Sequence, residues 1–286
     1  MKQFDIDSKV LIIGLGLLGG SYAKSLRKKG MYVSAIDTRK EAIEYALANG
    51  IIDEGYDYVD KDAVARADTI VFALYPKIFV QWIKDYQQYF SPGVMITDVT
   101  GVKSCIVYEI QQMLRPDVEF IAAHPMAGRE VYGVENSDDG IFRGANYIVV
   151  PTGTNSQEAI DNCRKLGIYL GFARISTLSP EEHDDMIGFV SQLTHCIAVS
   201  LMTCSDSESL VDYTGDSFRD LTRIARINDA MWSELFMLNK GPLIEQMDKF
   251  IEEFINMKKL IETNDVKTLR EKMRLSTKRR ALFDKK

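Results

Sequence analysis

The chain has 286 residues, 46% of them hydrophobic, and a formal net charge of −6. That length favours two domains, with ample apolar material for a core. The mixed, mildly acidic charge argues against nucleic acid as the main partner, because such binders usually carry a basic excess.

Residues 1–9 do not read as a secretory leader, and no apolar stretch of the sequence approaches the roughly 20 residues of a membrane span. Cys105, Cys163, Cys196 and Cys204 form no C-x-x-C pair. A chain of this size does not depend on disulfides, so a reduced, cytoplasmic setting is expected.

The apolar, β-branched run at residues 10–13 ends at a glycine cluster and predicts a buried parallel strand. Residues 21–29 predict a helix, 31–36 a strand ending at Asp37, and 40–49 a helix stopped by Gly50. Further strands are predicted at 69–74 (halted by Tyr75-Pro76), 94–97, 119–123 and 147–150. This alternation points to a doubly wound α/β sheet. Near residue 176 the character changes. Ser179-Pro180-Glu181-Glu182 reads as a capped helix start. Helices are predicted over 186–202, 218–227, 231–238 and 243–261, and the basic run 267–286 reads as an exposed helix and tail. The expected division is residues 1–177, binding a dinucleotide, and residues 178–286, all helical.

Gly14-Leu15-Gly16-Leu17-Leu18-Gly19 fits G-x-G-x-x-G between a predicted strand and helix, the context that gives the pattern meaning. The first glycine permits the turn, the second lets a pyrophosphate approach, and the third lets helix and strand pack closely. Free N–H groups at the helix start, Leu17 and Leu18 included, then face the phosphates. Asp37 follows Gly14 by 23 residues. A carboxylate there accepts ribose hydroxyls and repels a 2′-phosphate, which favours NAD over NADP. Arg39 and Lys40 stand close enough to soften that preference. Tyr75, at the end of the 69–74 strand, is counted with the cofactor contacts.

The chain has three histidines. His124, in Ala123-His124-Pro125-Met126-Ala127-Gly128, is expected just past a strand, where the carboxyl ends of an open sheet line the ligand crevice. It reads either as a proton-transfer group or as a histidine bonded to loop backbone. His183, among Glu181, Glu182, Asp184 and Asp185, reads as part of a solvated helix start in preference to a metal site, and no H-E-x-x-H is present. His195 reads as a core histidine or as one facing an interdomain cleft. Arg219, Arg223 and Arg226 are spaced i, i+4, i+7, on one face of the predicted helix. They suit an anionic small molecule, or else a solvated face paired with nearby acids.

Taken together, these residues resemble the prephenate/arogenate dehydrogenase family. The most specific pieces are His124-Pro125-Met126-Ala127-Gly128 with Glu130, Glu182-His183-Asp184 with His195, and Phe218-Arg219-Asp220-Leu221-Thr222-Arg223-Ile224-Ala225 with Trp232. The resemblance implies an N-terminal Rossmann-like domain and an all-helical C-terminal domain that forms a homodimer. It implies NAD as cofactor, no metal, and prephenate or arogenate as substrate. His124 would accept the proton of the ring hydroxyl. His195, Arg219 and Arg223 would hold the substrate, with Glu130 a candidate for distinguishing keto from amino side chains. Many relatives carry a serine where Gly101 stands, so Thr100 or water is expected to supply that hydroxyl. The alternatives are a dual-substrate cyclohexadienyl dehydrogenase and, more remotely, an NAD-binding sensor that does not catalyse.

Overall fold

The structure, a computed structural model, describes residues 1–129 and 131–283. Glu130 lies outside the described residues. The chain gathers into two compact units, Met1–Asn239 and Lys240–Lys286.

In the first unit, strands β1 (Val10–Ile13), β2 (Val33–Ile36), β3 (Glu54–Tyr56), β4 (Thr69–Phe72), β5 (Met95–Asp98) and β6 (Glu119–Phe120) form one parallel sheet in the order β3-β2-β1-β4-β5-β6. Every residue of β1, β2, β4 and β5 is buried. Burial on both faces explains why these strands read as continuous apolar runs. Helices α1 (Leu17–Lys28), α2 (Lys40–Ala48), α3 (Lys61–Arg66), α4 (Pro76–Tyr86) and α5 (Ser104–Met113) make the connections. Two apolar clusters result, one built on Tyr22, Leu26 and Val33, the other on Phe72, Phe79 and Trp82. Strand order reverses between β1 and β4, which opens a crevice at their carboxyl ends.

The strand expected over 119–123 divides. β6 completes the parallel sheet, and β7 (Ala122–Met126) opens a second sheet with β8 (Asn146–Val150) and β9 (Arg174–Thr177). β7 pairs antiparallel with β8, placing His124 opposite Ile148 and Pro125 opposite Tyr147. His124 therefore lies inside a strand, not in a loop beyond one. Pro125 is tolerated because β7 is an edge strand. Helix α6 (Gln157–Leu170), capped by Ser156, leads from β8 to β9.

Helix α7 (Pro180–Ile187) starts as the sequence predicts, with a Ser179–Glu182 capping box. It runs through a π-helical stretch, Gly188–Leu193, into α8 (Thr194–Thr203). Contrary to the sequence reading, this continuous helix, Pro180–Thr203, has the length and mean hydropathy (1.4) of a membrane span. Its buried polar residues His183, Asp184 and Gln192 all hydrogen-bond to other elements of the unit. Those bonds tie the helix into the fold.

The helix expected over 218–227 also breaks. α9 (Asp216–Thr222) tightens into a 3-10 turn at Arg223–Ala225, and α10 (Asp229–Leu238) follows. Asn228 accepts the Met231 N–H as the cap of α10. The extended backbone that a cap requires ends the preceding helix. Arg219 thus falls on α9, Arg223 on the 3-10 turn that continues it, and Arg226 just past that turn, so the three do not lie on one continuous α-helix.

The second unit consists of α11 (Lys240–Glu262) and α12 (Val266–Arg280), joined through Asn264 at φ 53°. Lys272 and Glu253 form an ion pair at 2.9 Å between them. Among the described residues no strand follows β9.

Candidate active site

The glycine turn has the shape a pyrophosphate needs. Gly14 has φ +99°, and a Cβ there would lie 2.5 Å from the Ala73 carbonyl. A Cβ on Gly19 would stand 1.9 Å from the Gly14 oxygen, so helix and strand meet only because it is absent. A Cβ on Gly16 would meet nothing within 4 Å, so this glycine faces open space. The α1 start has neither a capping side chain nor an acid in its first turn. The N–H groups of Leu17, Leu18 and Gly19 are thereby left for an anion. Asp37 braces the turn: Oδ2 accepts the Leu15 N–H at 2.6 Å and Oδ1 the Arg39 N–H at 2.8 Å. The Arg39 guanidinium returns to the Leu15 carbonyl at 3.1 Å. Tyr75 is the exposed residue just before α4. These residues fit a dinucleotide.

His124, partly buried on β7, places Nδ1 2.9 Å from Nε2 of His183. His183 is fully buried, and its Nδ1 lies 2.8 Å from Oδ1 of Asp184. Asp184 in turn accepts the backbone N–H groups of Lys103 and Ser104, each at 2.8 Å, at the start of α5. His183 is therefore no solvated helix start. The acidic residues around it suggest solvent, but the docking of α7 on α5 buries it, and no local pattern encodes that docking.

Beneath His124 sits a fully buried ion pair. Lys103 Nζ donates to Asp98 at 2.7 Å, to the Ala123 carbonyl at 2.6 Å and to Thr100 Oγ1 at 3.2 Å. Asp98 Oδ1 accepts the Ala123 N–H at 3.1 Å. Two charged side chains thus hold both backbone groups of the residue preceding His124. In the sequence the pair's only signal is an Asp and a Lys five residues apart, at the end of β5 and the start of α5. Thr100 does not fill the role expected of it: its hydroxyl is buried and turned inward, with Asp98 and the Val102 carbonyl as the acceptors within reach of its one proton. At Gly101 an added Cβ would lie 3.9 Å from His124 Cε1 and 3.7 Å from Leu235, an ordinary fit. Gly101 therefore leaves room for at least a methyl-sized group beside His124.

Helix α10 closes this side. Leu235 faces Gly101, Glu234 accepts the Lys77 N–H at 3.2 Å, and Trp232 stacks on His195 with ring centroids 3.7 Å apart. Gln192 bonds the Leu235 carbonyl, and Asn239 bonds Gln192 and the Asp184 carbonyl, locking α10 onto the long helix. His195 donates from Nδ1 to Ser191 O at 2.8 Å. Arg219 is largely exposed and bonds Asp216 and the Thr214 carbonyl. No hydrogen bond joins it to His124. Among the described residues no cluster of three or more His, Cys, Asp or Glu is set to hold a metal.

Burial drives the pKa of His124 well below 6.5, aided by His183 and the Lys103 charge. Burial lowers that of His183 too, against the pull of Asp184. Below about pH 6.5 the unfolded chain binds protons that the folded chain does not, so stability falls with acidification. Thermal melts stepped from about pH 7 to about pH 5 should show a falling Tm, and His124→Asn should flatten the fall. An unchanged slope in that variant would contradict a neutral, desolvated His124.

Residues 22–171 match the prephenate dehydrogenase nucleotide-binding domain, and residues 179–275 match the prephenate dehydrogenase dimerization domain. A prephenate dehydrogenase of Bacillus subtilis is 30% identical over 267 residues, covering 91% of this chain and 72% of that protein. A cyclohexadienyl dehydrogenase of Zymomonas mobilis is 26% identical over 95% of this chain and 94% of its own length. The crystal structure of Aquifex aeolicus prephenate dehydrogenase, in complex with hydroxyphenyl propionate and NAD+, superposes with TM-score 0.89 at 30% identity, covering 99% of this chain and 100% of that one. With its glycine turn, its histidine on β7 and both domains matched in order, the chain belongs to the prephenate dehydrogenase family.

Proposed function

We propose that this member converts prephenate to 4-hydroxyphenylpyruvate with NAD, in tyrosine biosynthesis. The observation that carries the reading is His124, whose Nδ1 is committed to His183 while its ring edge faces the space at Gly101. The glycine turn braced by Asp37 would hold NAD, which when bound would supply the acceptor for the hydride on the ring carbon that bears the hydroxyl. His124 Nε2 accepts the hydroxyl proton. The ring carboxylate leaves as carbon dioxide, its bonding pair completes the aromatic ring, and the proton returns to the ring oxygen. Aromatisation supplies the drive, so the protein's task is to orient the substrate and move one proton.

His195, held flat by Trp232, together with Arg219 and Arg223, binds the substrate carboxylates and side chain, and Glu130 is kept as the residue that senses keto against amino. The alternative is arogenate, or both substrates, a reading favoured by the relative named a cyclohexadienyl dehydrogenase. The boundary between cofactor and substrate halves falls at residues 177/178, in keeping with the gap between the two family matches. A homodimer through the helical half accords with its exposed apolar residues, among them Phe189, Val190 and Met237. A cytoplasmic setting accords with four free cysteines.

The test is NADH formation with prephenate and arogenate, each with NAD and NADP. Prephenate with NAD is expected to give the highest kcat/KM. NADP should be less efficient by about ten-fold or more, because Asp37 repels its 2′-phosphate. No reduced cofactor with either substrate would overturn the assignment.

A further inference from the structure

We infer that His183 and Asp184 are positioning residues for His124, fixing its tautomer with the proton on Nδ1 and the lone pair on Nε2. The inference rests on His124 as the proton acceptor of the proposed reaction and adds what prepares it for that role.

The direction of each bond follows from the far end of the chain. The Lys103 and Ser104 N–H groups can only donate, so the Asp184 carboxylate accepts both. Two backbone donors at a helix start favour its ionised form; against burial its pKa lies below the usual value, lowered first by the His183 bond and then by Ser104. An ionised carboxylate must then receive a proton from His183 Nδ1 across 2.8 Å. A neutral His183 with its proton on Nδ1 presents a lone pair at Nε2. That lone pair faces His124 Nδ1 at 2.9 Å, so His124 must donate there. Nε2 is the ring nitrogen that remains for a substrate hydroxyl.

Only a doubly protonated His183 would reverse the last bond. Complete burial and the Lys103 ammonium oppose that charge. The groups facing the pair are therefore Asp184 and Lys103, with Asp98 behind Lys103. When His124 takes up a proton, its Nδ1–H points down a hydrogen-bonded chain that ends on a carboxylate, and the imidazolium is stabilised. No proton passes beyond His124; the one gained at Nε2 is the one returned. The sequence builds the arrangement economically: the Ser179–Glu182 box starts α7, and the two residues that follow the box supply the histidine and the acid.

The test begins with nitrogen NMR of protein labelled at histidine, where three residues allow assignment by single substitutions. Near neutral pH, His124 and His183 are each expected as the Nδ1–H tautomer. An Nε2–H tautomer at His124 would overturn the relay. This readout needs no turnover, so it stands apart from the choice of substrate. Asp184→Asn should then lower kcat by about a hundred-fold or more, toward the roughly 10⁴-fold loss seen when a wrong tautomer is imposed on a catalytic histidine. Its NAD affinity by calorimetry should hold, the acid limb of kcat/KM should move to lower pH, and Asp184→Glu should recover part of the loss. A loss of kcat with the His124 tautomer unchanged would make Asp184 merely structural and defeat the inference.

Discussion

His124→Asn should lower kcat for prephenate by about 10²–10⁴-fold, the usual contribution of a positioned acid–base group. That is about 3–5 kcal/mol of barrier at the conversion of 1.36 kcal/mol per decade. Asparagine is the informative replacement, because its amide N–H can still donate toward His183 Nε2 while it offers no basic nitrogen to the substrate. The fold and the glycine turn should therefore persist, and calorimetry should find NAD binding within a few-fold of the parent. A variant that binds NAD and still turns prephenate over at the parent rate would remove His124 from the chemistry. In that case the space at Gly101 would have to be explained by something other than a hydroxyl seated beside an imidazole.

The cofactor half was legible because its constraints are local. A buried parallel strand is a continuous apolar run, and each glycine of the turn answers a contact within a few residues or across to the neighbouring strand. β3 escaped because Glu54-Gly55-Tyr56 is a half-exposed edge with no apolar run. The division of 119–123 escaped because Ile121 steps from one sheet to the other while staying as buried as its neighbours. His183 departs from its sequence pattern for the same kind of reason. Its surroundings in sequence are acidic, whereas its surroundings in space are His124 and the start of α5. The arginine stripe is cut short, before Arg226, where a local signal did exist. Asn228-Asp229 is a helix start, and it outweighs the i, i+4, i+7 spacing that suggests one continuous face.

Lys103→Met should be the most destabilising single change at the site, and the reason is the partner it abandons. Lys103 and Asp98 are both fully buried, and all three ammonium donors are matched, to Asp98, the Ala123 carbonyl and Thr100. Methionine fills similar space but leaves the Asp98 charge without its counter-ion and the Ala123 carbonyl without its donor. Breaking a buried pair from one side costs about 3–5 kcal/mol. For a chain of this size that corresponds to a fall in Tm on the order of 10 °C. Adding Asp98→Asn removes the stranded charge, and the double variant should melt closer to the parent than Lys103→Met alone. A single variant with the parent Tm would show that the pair contributes no net stability. The damage should also reach kcat, because the pair grips both backbone groups of the residue preceding His124. A displacement of roughly 1 Å at a reacting group can cost about a hundred-fold in rate. Assayed well below its melting point, Lys103→Met should therefore lose kcat by about ten-fold or more. The double variant should recover stability more fully than rate: the asparagine can still accept the Ala123 N–H, but nothing replaces the ammonium on the Ala123 carbonyl. That divergence separates a residue that merely holds the fold together from one whose hold on β7 sets the position of the base.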